Sequence, residues 1–100
     1  MWTLISTSSD TGGGDALSFR LLPGAIKTVG RAARADFVVD AALVSRLHCR
    51  LTLDAAGALQ VEDLDSTNGT WVNGTRVTRA PLAEGDTLTV GRVEFVVNRA

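Results

Sequence analysis

Cysteine, histidine and aromatic side chains are all scarce in this sequence, and each shortage excludes a class of chemistry. The single cysteine, Cys49, has no partner for an internal disulfide. It lies in an apolar alternation, where a buried, unreactive thiol is expected, and this fits a reducing compartment. One histidine and one cysteine cannot fill a zinc site, so neither a metal nor a cofactor is expected. His48 stands three residues after Ser45. A Ser-His pair needs an orienting third group and an oxyanion hole, and with neither in view an enzyme is not expected. Five aromatic residues among 100 leave the core to aliphatic side chains. Charge of one sign is missing too. Ten basic residues against eleven acidic give a formal charge of −1, which supplies no general attraction for nucleic acid or a membrane surface. Any anion site must be local. No apolar run reaches transmembrane length, and Met1-Trp2-Thr3-Leu4 lacks the basic start and long apolar core of a signal peptide, so a soluble cytoplasmic protein is expected. The length suits one domain, residues 1–100, without internal repeat or linker.

What is present is a succession of short alternating stretches punctuated by turn chemistry. Trp2 to Ser6 reads as a strand with Trp2, Leu4 and Ser6 on one face. Ser8 to Asp15, with its three glycines, reads as a mobile loop; it is no phosphate-cradling motif, because no Gly-Lys-Ser/Thr follows. Leu17 to Leu21 alternates, Pro23-Gly24 supplies the centre of a type II turn, and Ala25 to Val29 reads as the returning arm of a hairpin with Ile26 and Val29 in the core. Ala32 to Val44 fits two patterns. Ala33, Phe37, Val38, Ala41 and Val44 fit a helical stripe, whereas the β-prone Phe37-Val38-Val39 between Asp36 and Asp40 favours a short strand within a long loop, which is expected here. His48 to Leu53 and Ala58 to Glu62 form two arms around Asp54-Ala55-Ala56-Gly57. Asn73-Gly74 joins Thr70-Trp71-Val72 to Thr75-Arg76-Val77-Thr78 as a tight hairpin, since both residues tolerate positive φ. After Pro81-Leu82 and the turn at Glu84-Gly85-Asp86 come Thr87 to Val90, Gly91-Arg92 and Val93 to Val97. So many short strands at such spacing indicate an all-β sandwich or barrel.

Gly30-Arg31, Ser45-Arg46-Leu47-His48 and Ser66-Thr67-Asn68-Gly69 are polar islands at strand ends or in loops. Together they offer two arginines, hydroxyls and an asparagine. A phosphorylated residue carries nearly two negative charges and three strong acceptor oxygens. Arginine serves two such oxygens at once, and hydroxyls and backbone amides take the rest. These motifs, the last of them preceded by Asp63-Leu64-Asp65 and followed by Thr70-Trp71-Val72-Asn73-Gly74 and then Leu82, Gly85, Asp86, Leu88 and Gly91, resemble the forkhead-associated (FHA) domain over residues 30–97.

The resemblance implies a β-sandwich of about eleven mostly antiparallel strands, whose loops at one end bind phosphothreonine in an extended peptide. It places Arg31, Ser45, Arg46 and Thr67 at the phosphate and Asn68 on the peptide backbone. His48, Gly30, Gly69, Asn73 and Gly74 brace or shape the loops. Leu43 and Val44 fall in the segment that helps select the ligand residue C-terminal to the phosphothreonine, and Leu43 stands where some members use a charged selector, which opens an apolar preference. Asp65 replaces a frequent Gly, and Leu47 a frequent Arg or Lys. The partner implied is a phosphothreonine-containing protein, a Ser/Thr kinase or its substrate, with no nucleic acid or membrane. A phosphate-independent scaffold of the same fold is the alternative, and a basic helix pair over Ala32 to Leu53 that binds nucleic acid is a further one. Trp71 is expected to be a partly buried sandwich residue, and Arg76, Arg79, Arg92 and Arg99 ordinary surface charge.

Overall fold

The structure, a computed structural model, describes residues 1–7 and 17–100, so the expected glycine loop at Ser8 to Asp15 lies outside the described residues. Among the described residues there are eleven strands: β1 (Trp2–Ser6), β2 (Ser18–Leu21), β3 (Ile26–Gly30), β4 (Phe37–Val38), β5 (Cys49–Leu53), β6 (Leu59–Asp63), β7 (Thr70–Val72), β8 (Thr75–Val77), β9 (Arg79–Leu82), β10 (Thr87–Val90) and β11 (Val93–Arg99). They form one sheet ordered β2-β1-β11-β10-β7-β8 and a second ordered β4-β3-β5-β6-β9. Every pairing is antiparallel except β3 with β4. No helix occurs among the described residues, so none there is long and apolar enough to cross a membrane. The helix pair envisaged over Ala32 to Leu53 is replaced by loop, β4 and β5.

Alternation sets the faces. Trp2, Leu4 and Ser6 are buried while Ile5 is exposed, and Cys49, Leu51 and Leu53 are buried on β5. The inward residues of both sheets, chiefly Leu, Val and Phe95, make one aliphatic core. Phe19 on the outer strand β2 stacks on Phe37 of the outer strand β4 at 4.5 Å between centroids, so two of the few aromatics close one open side of the sandwich.

Two expectations are corrected. Pro23-Gly24 does form the turn, with Gly24 at φ 88° and the Ala25 N–H donating to the Leu22 carbonyl at 3.0 Å. It does not join a hairpin, because β2 and β3 belong to different sheets. A type II turn splays its flanking strands against their natural twist, which suits a corner between sheets better than a two-residue hairpin. Ile26 is 62% exposed, whereas Val29 is buried. Three residues apart on one strand, the two point to opposite faces.

Candidate functional site

Three loops meet at the end of the sandwich where β3 finishes. Gly30 makes the approach possible: a Cβ there would lie 2.0 Å from the Arg46 carbonyl oxygen, so only glycine lets the two backbones pass so closely. Past it, the Arg31 N–H donates to the Ser45 carbonyl at 2.9 Å and the Ala32 N–H to the Arg46 carbonyl at 3.1 Å. Arg31 and Arg46 are thereby fixed on two segments zipped together by backbone hydrogen bonds.

His48, fully buried, ties these segments to the loop before β7. Its Nδ1 accepts from the Ser45 N–H at 3.0 Å, and its Nε2 lies 2.7 Å from the Gly69 carbonyl. Accepting at Nδ1 leaves the proton on Nε2, so the ring is neutral and donates to Gly69. Burial lowers its pKa from the ordinary value, opposed by the Gly69 carbonyl and the nearby Asp63. The loop itself is wound around Asp63. Its carboxylate accepts from the Ser66 hydroxyl at 2.6 Å, the Ser66 N–H at 3.1 Å and the Thr70 hydroxyl at 2.7 Å, and the Ser66 oxygen in turn accepts from the Gly69 N–H at 3.0 Å. Burial pushes the Asp63 carboxyl up, but these hydrogen bonds and His48 together hold it below the usual carboxylate value.

Arg31, Ser45, Arg46, Thr67 and Asn68 then line one cleft of about 470 Å³, with Ala42, Leu43, Val44 and Leu47. Three of the five use one polar group to hold position and keep another free. Arg31 Nε donates to the Val44 carbonyl at 3.2 Å, leaving its terminal N–H groups. Ser45 Oγ accepts from the Thr67 N–H at 3.1 Å, leaving its own proton. Asn68 Nδ2 donates to the Leu43 carbonyl at 2.9 Å, leaving the amide oxygen. Among the described residues no carboxylate lines the cleft, and the two ion pairs, Arg50 and Arg79 with Glu62, lie elsewhere on the second sheet. The surface is therefore a pre-set array of donors of the kind that suits an anion, with the Asn68 amide oxygen as an acceptor beside it.

The remaining expected residues fall in different places. Val44 is buried at 2% exposure, so only its backbone reaches the cleft, while Leu43 is 38% exposed. Gly69 sits at φ 92°, where a Cβ would meet Arg76 Nε at 2.8 Å and Trp71 Nε1 at 2.9 Å. Asn73 and Gly74 do form the tight turn, at φ 50° and 82°. Asn73 is also tied to β10, donating to Asp86 at 3.0 Å and accepting from the Thr87 N–H at 2.9 Å. Asp65, in place of a frequent glycine, occupies φ 60°. A second recess of about 650 Å³ adjoins the cleft through Leu43 and Asn68 and is lined also by Trp71, Gly91 and Arg92. Trp71 is half-buried, as expected, with Nε1 donating to the Asn68 carbonyl at 3.2 Å. Two arginines expected as plain surface charge lie over aromatic rings, Arg76 on Trp71 at 6.0 Å and Arg99 on Trp2 at 5.5 Å. Asp63, Ser66 and Thr70 lie in the motif that the sequence singles out, but sequence reading gave them no role. Their signal was an aspartate at a strand end with a serine three residues on, the spacing of a turn capped by its own aspartate. Among the described residues no cluster of His, Cys, Asp and Glu could hold a metal ion.

Comparison with known proteins places the fold in a family. The sequence is 41% identical over 80 residues to an ABC transporter ATP-binding/permease protein of Mycobacterium tuberculosis, covering 80% of this protein and 9% of that one. It spans about half or less of the curated relatives it matches. The FhaA FHA domain, solved in complex with the intracellular domain of Rv3910, superposes with a TM-score of 0.82 at 34% identity, covering 98% of this protein and 100% of that domain. A structure from work on phosphothreonine-dependent FHA domain interactions gives 0.80 at 33% identity, covering 99% and 96%. The family model of the FHA domain matches residues 27–91, which takes in the cleft, the His48 brace and the Asn73-Gly74 turn, and the protein belongs to that family.

Proposed function

We propose that the protein is a non-catalytic reader of phosphothreonine in an extended peptide of a partner protein, acting as an adaptor downstream of a Ser/Thr kinase, with the partner being such a kinase or its substrate. The observation that carries it is the donor array: Arg31, Ser45 and Asn68 are each anchored by one group with another left free, in a cleft that no carboxylate among the described residues lines. Such pre-organisation lowers the ordering cost of binding. Arg31, with Arg46 beside it, takes the phosphate oxygens, and the hydroxyls of Ser45 and Thr67 complete the set. Asn68 holds the peptide backbone. Without the phosphate these donors lose their ionic partner, which gives selectivity over plain threonine.

Discrimination against phosphoserine rests on the threonine methyl, whose burial supplies only about 0.8 kcal/mol, so close fit must add to transfer energy. Micromolar affinity needs roughly 8 kcal/mol, within reach of a dianion and a few backbone hydrogen bonds. The recess beside Leu43 and Trp71, lined also by Arg92 and Glu94, takes the peptide residue that follows the phosphothreonine, with Leu43 offering it an apolar contact. The test is calorimetric titration with peptides carrying phosphothreonine, phosphoserine or threonine at a fixed position. Binding restricted to phosphothreonine and abolished by Arg31→Ala, with the circular dichroism spectrum and melting temperature retained, is the expected result. Equal affinity in the variant would overturn the site, and capture of partners regardless of phosphorylation would favour a scaffold instead.

A further inference from the structure

β3 runs from Ile26 to Gly30, so its first residue lies at the end of the sandwich remote from the cleft. There a recess of about 460 Å³ is lined by Met1, Leu22, Pro23 and Ala25, with Arg20 and Lys27 among its walls. Leu22 follows the fully buried Leu21 yet is 62% exposed, and Ile26 beside Lys27 is equally exposed. With Met1 they make three of the six large apolar side chains that the described residues leave in solvent. Single exposed apolar residues are ordinary, whereas a group around one turn marks a contact surface. The turn that carries them is held firmly. Besides the hydrogen bond from Ala25 to Leu22, the Gly24 N–H donates to the Leu53 carbonyl at 2.8 Å and the Leu53 N–H to the Ala25 carbonyl at 2.9 Å. The recess is thus preformed, which lowers the cost of filling it.

Charge decides what fills it. No carboxylate among the described residues lines the recess, and neither Arg20 nor Lys27 belongs to the two ion pairs found there. Asp36, close enough to Lys27 to feel its charge, has its carboxylate engaged by the N–H and hydroxyl of Thr28 at 2.9 and 3.1 Å. Asp54, in the turn after Leu53, accepts from the N–H groups of Ala56 and Ala58, each at 2.9 Å. A second copy docked here across a two-fold axis would set the two cations against their own images. A bilayer is entered by an apolar face that protrudes, whereas a recess receives a side chain. We propose that this recess docks an acidic, aliphatic segment of a partner protein, with one Leu, Ile or Val side chain seated against Leu22 and Asp or Glu beside it facing Arg20 and Lys27. The site stands apart from the phosphothreonine reading, and the two ends of the sandwich can be occupied at once.

Amide chemical shifts of the isotope-labelled protein test it. The probes are capped, unphosphorylated peptides that carry one leucine between glutamates, and matched peptides with glutamine or lysine in place of glutamate. The expected result is saturable shifts centred on residues 20–27, with about fivefold weaker affinity for the glutamine peptide and no binding of the lysine one. Leu22→Ser, at a side chain the core does not use, should abolish these shifts while phosphothreonine-peptide affinity stays unchanged. Equal binding of the glutamate and glutamine peptides would refute an acidic partner, and shifts centred on Arg31 and Arg46 instead would refute the site. So would silence from every peptide up to millimolar concentration. Two controls oppose the assignment directly. Co-sedimentation with phosphatidylcholine vesicles containing phosphatidylserine, lost in Leu22→Ser, would give the surface to a membrane. A dimer in analytical ultracentrifugation, lost in the same variant, would give it to a second copy.

Discussion

Asp65 occupies a backbone position that glycine fills without strain. At φ 60° an L residue's Cβ is crowded against its own carbonyl, a cost that aspartate tolerates better than most residues but does not escape. Asp65→Gly is expected to leave stability unchanged or raise it by up to about 1 kcal/mol, the strain relief being partly offset by the freer unfolded state. It should also tighten phosphopeptide binding, because it removes a carboxylate from the binding loop. Urea unfolding and a peptide titration check the two effects separately. His48 offers a different signature. It is the only histidine, and burial holds its pKa below the ordinary 6.5. As pH falls through 6.5 the unfolded state gains a proton here and the folded state does not, so its stabilising contribution is complete above 6.5 and is lost below it, toward the folded value. Asp63 adds a further decline below 3.8, where its hydrogen-bonded carboxylate resists protonation. The urea midpoint of the peptide-free protein should therefore fall between about pH 7 and about pH 5, and His48→Gln should be less stable at neutral pH but flat across that window.

At the level of elements, the site is built where backbones cross closely. Gly30 lets β3 pass the Arg46 carbonyl, and Gly91, at the head of the β10–β11 turn, lets that turn pass the Leu43 carbonyl, which a Cβ would meet at 2.5 Å. Gly30→Ala is expected to destabilise by about 2–3 kcal/mol, because backbone atoms rather than a yielding side group stand in the way. It should weaken phosphopeptide binding beyond what the loss of folded fraction explains, since the Arg31 and Arg46 segments are forced apart. Calorimetry at a temperature where the variant is folded separates the two. Turns in this protein were legible because their residues carry the conformation: Asn73-Gly74 and Gly91-Arg92 each join paired strands as their composition implies. The Pro23-Gly24 turn was equally legible, but the sheet to which each of its strands belongs was not. A turn's chemistry is local, whereas sheet membership depends on partners such as β1 for β2 and β5 for β3, which lie elsewhere in the sequence.

Over the whole molecule, the core and the site are separate. Phe95, fully buried, packs at 5.8 Å from Phe19 in the middle of the sandwich, while the donors of the cleft sit on loops at one end. Phe95→Leu should cost about 1–2 kcal/mol and lower the melting temperature, yet leave phosphopeptide affinity within about twofold where the variant is folded. A large affinity change in the folded variant would show that core packing sets the loops. The edges of the second sheet are also managed: β9 carries Pro81, which donates no ladder hydrogen bond, and β4 is only two residues long.

Strands, turns and the donor-rich composition of the candidate site were all legible in the sequence, because period-two alternation, Asn-Gly and Pro-Gly pairs and clusters of donors are properties of neighbouring residues. The resemblance grouped Arg31, Ser45, Arg46, Thr67 and Asn68 as one candidate set, and all five line one cleft. Only the tertiary structure decided that Val44 turns into the core while Leu43 stays at the rim, that His48 is neutral between Ser45 and Gly69, and that Asp63 is the post around which the recognition loop winds. Each of these depends on which backbone groups the fold brings within hydrogen-bonding distance, and the 21 positions from His48 to Gly69 carry no local mark of that meeting.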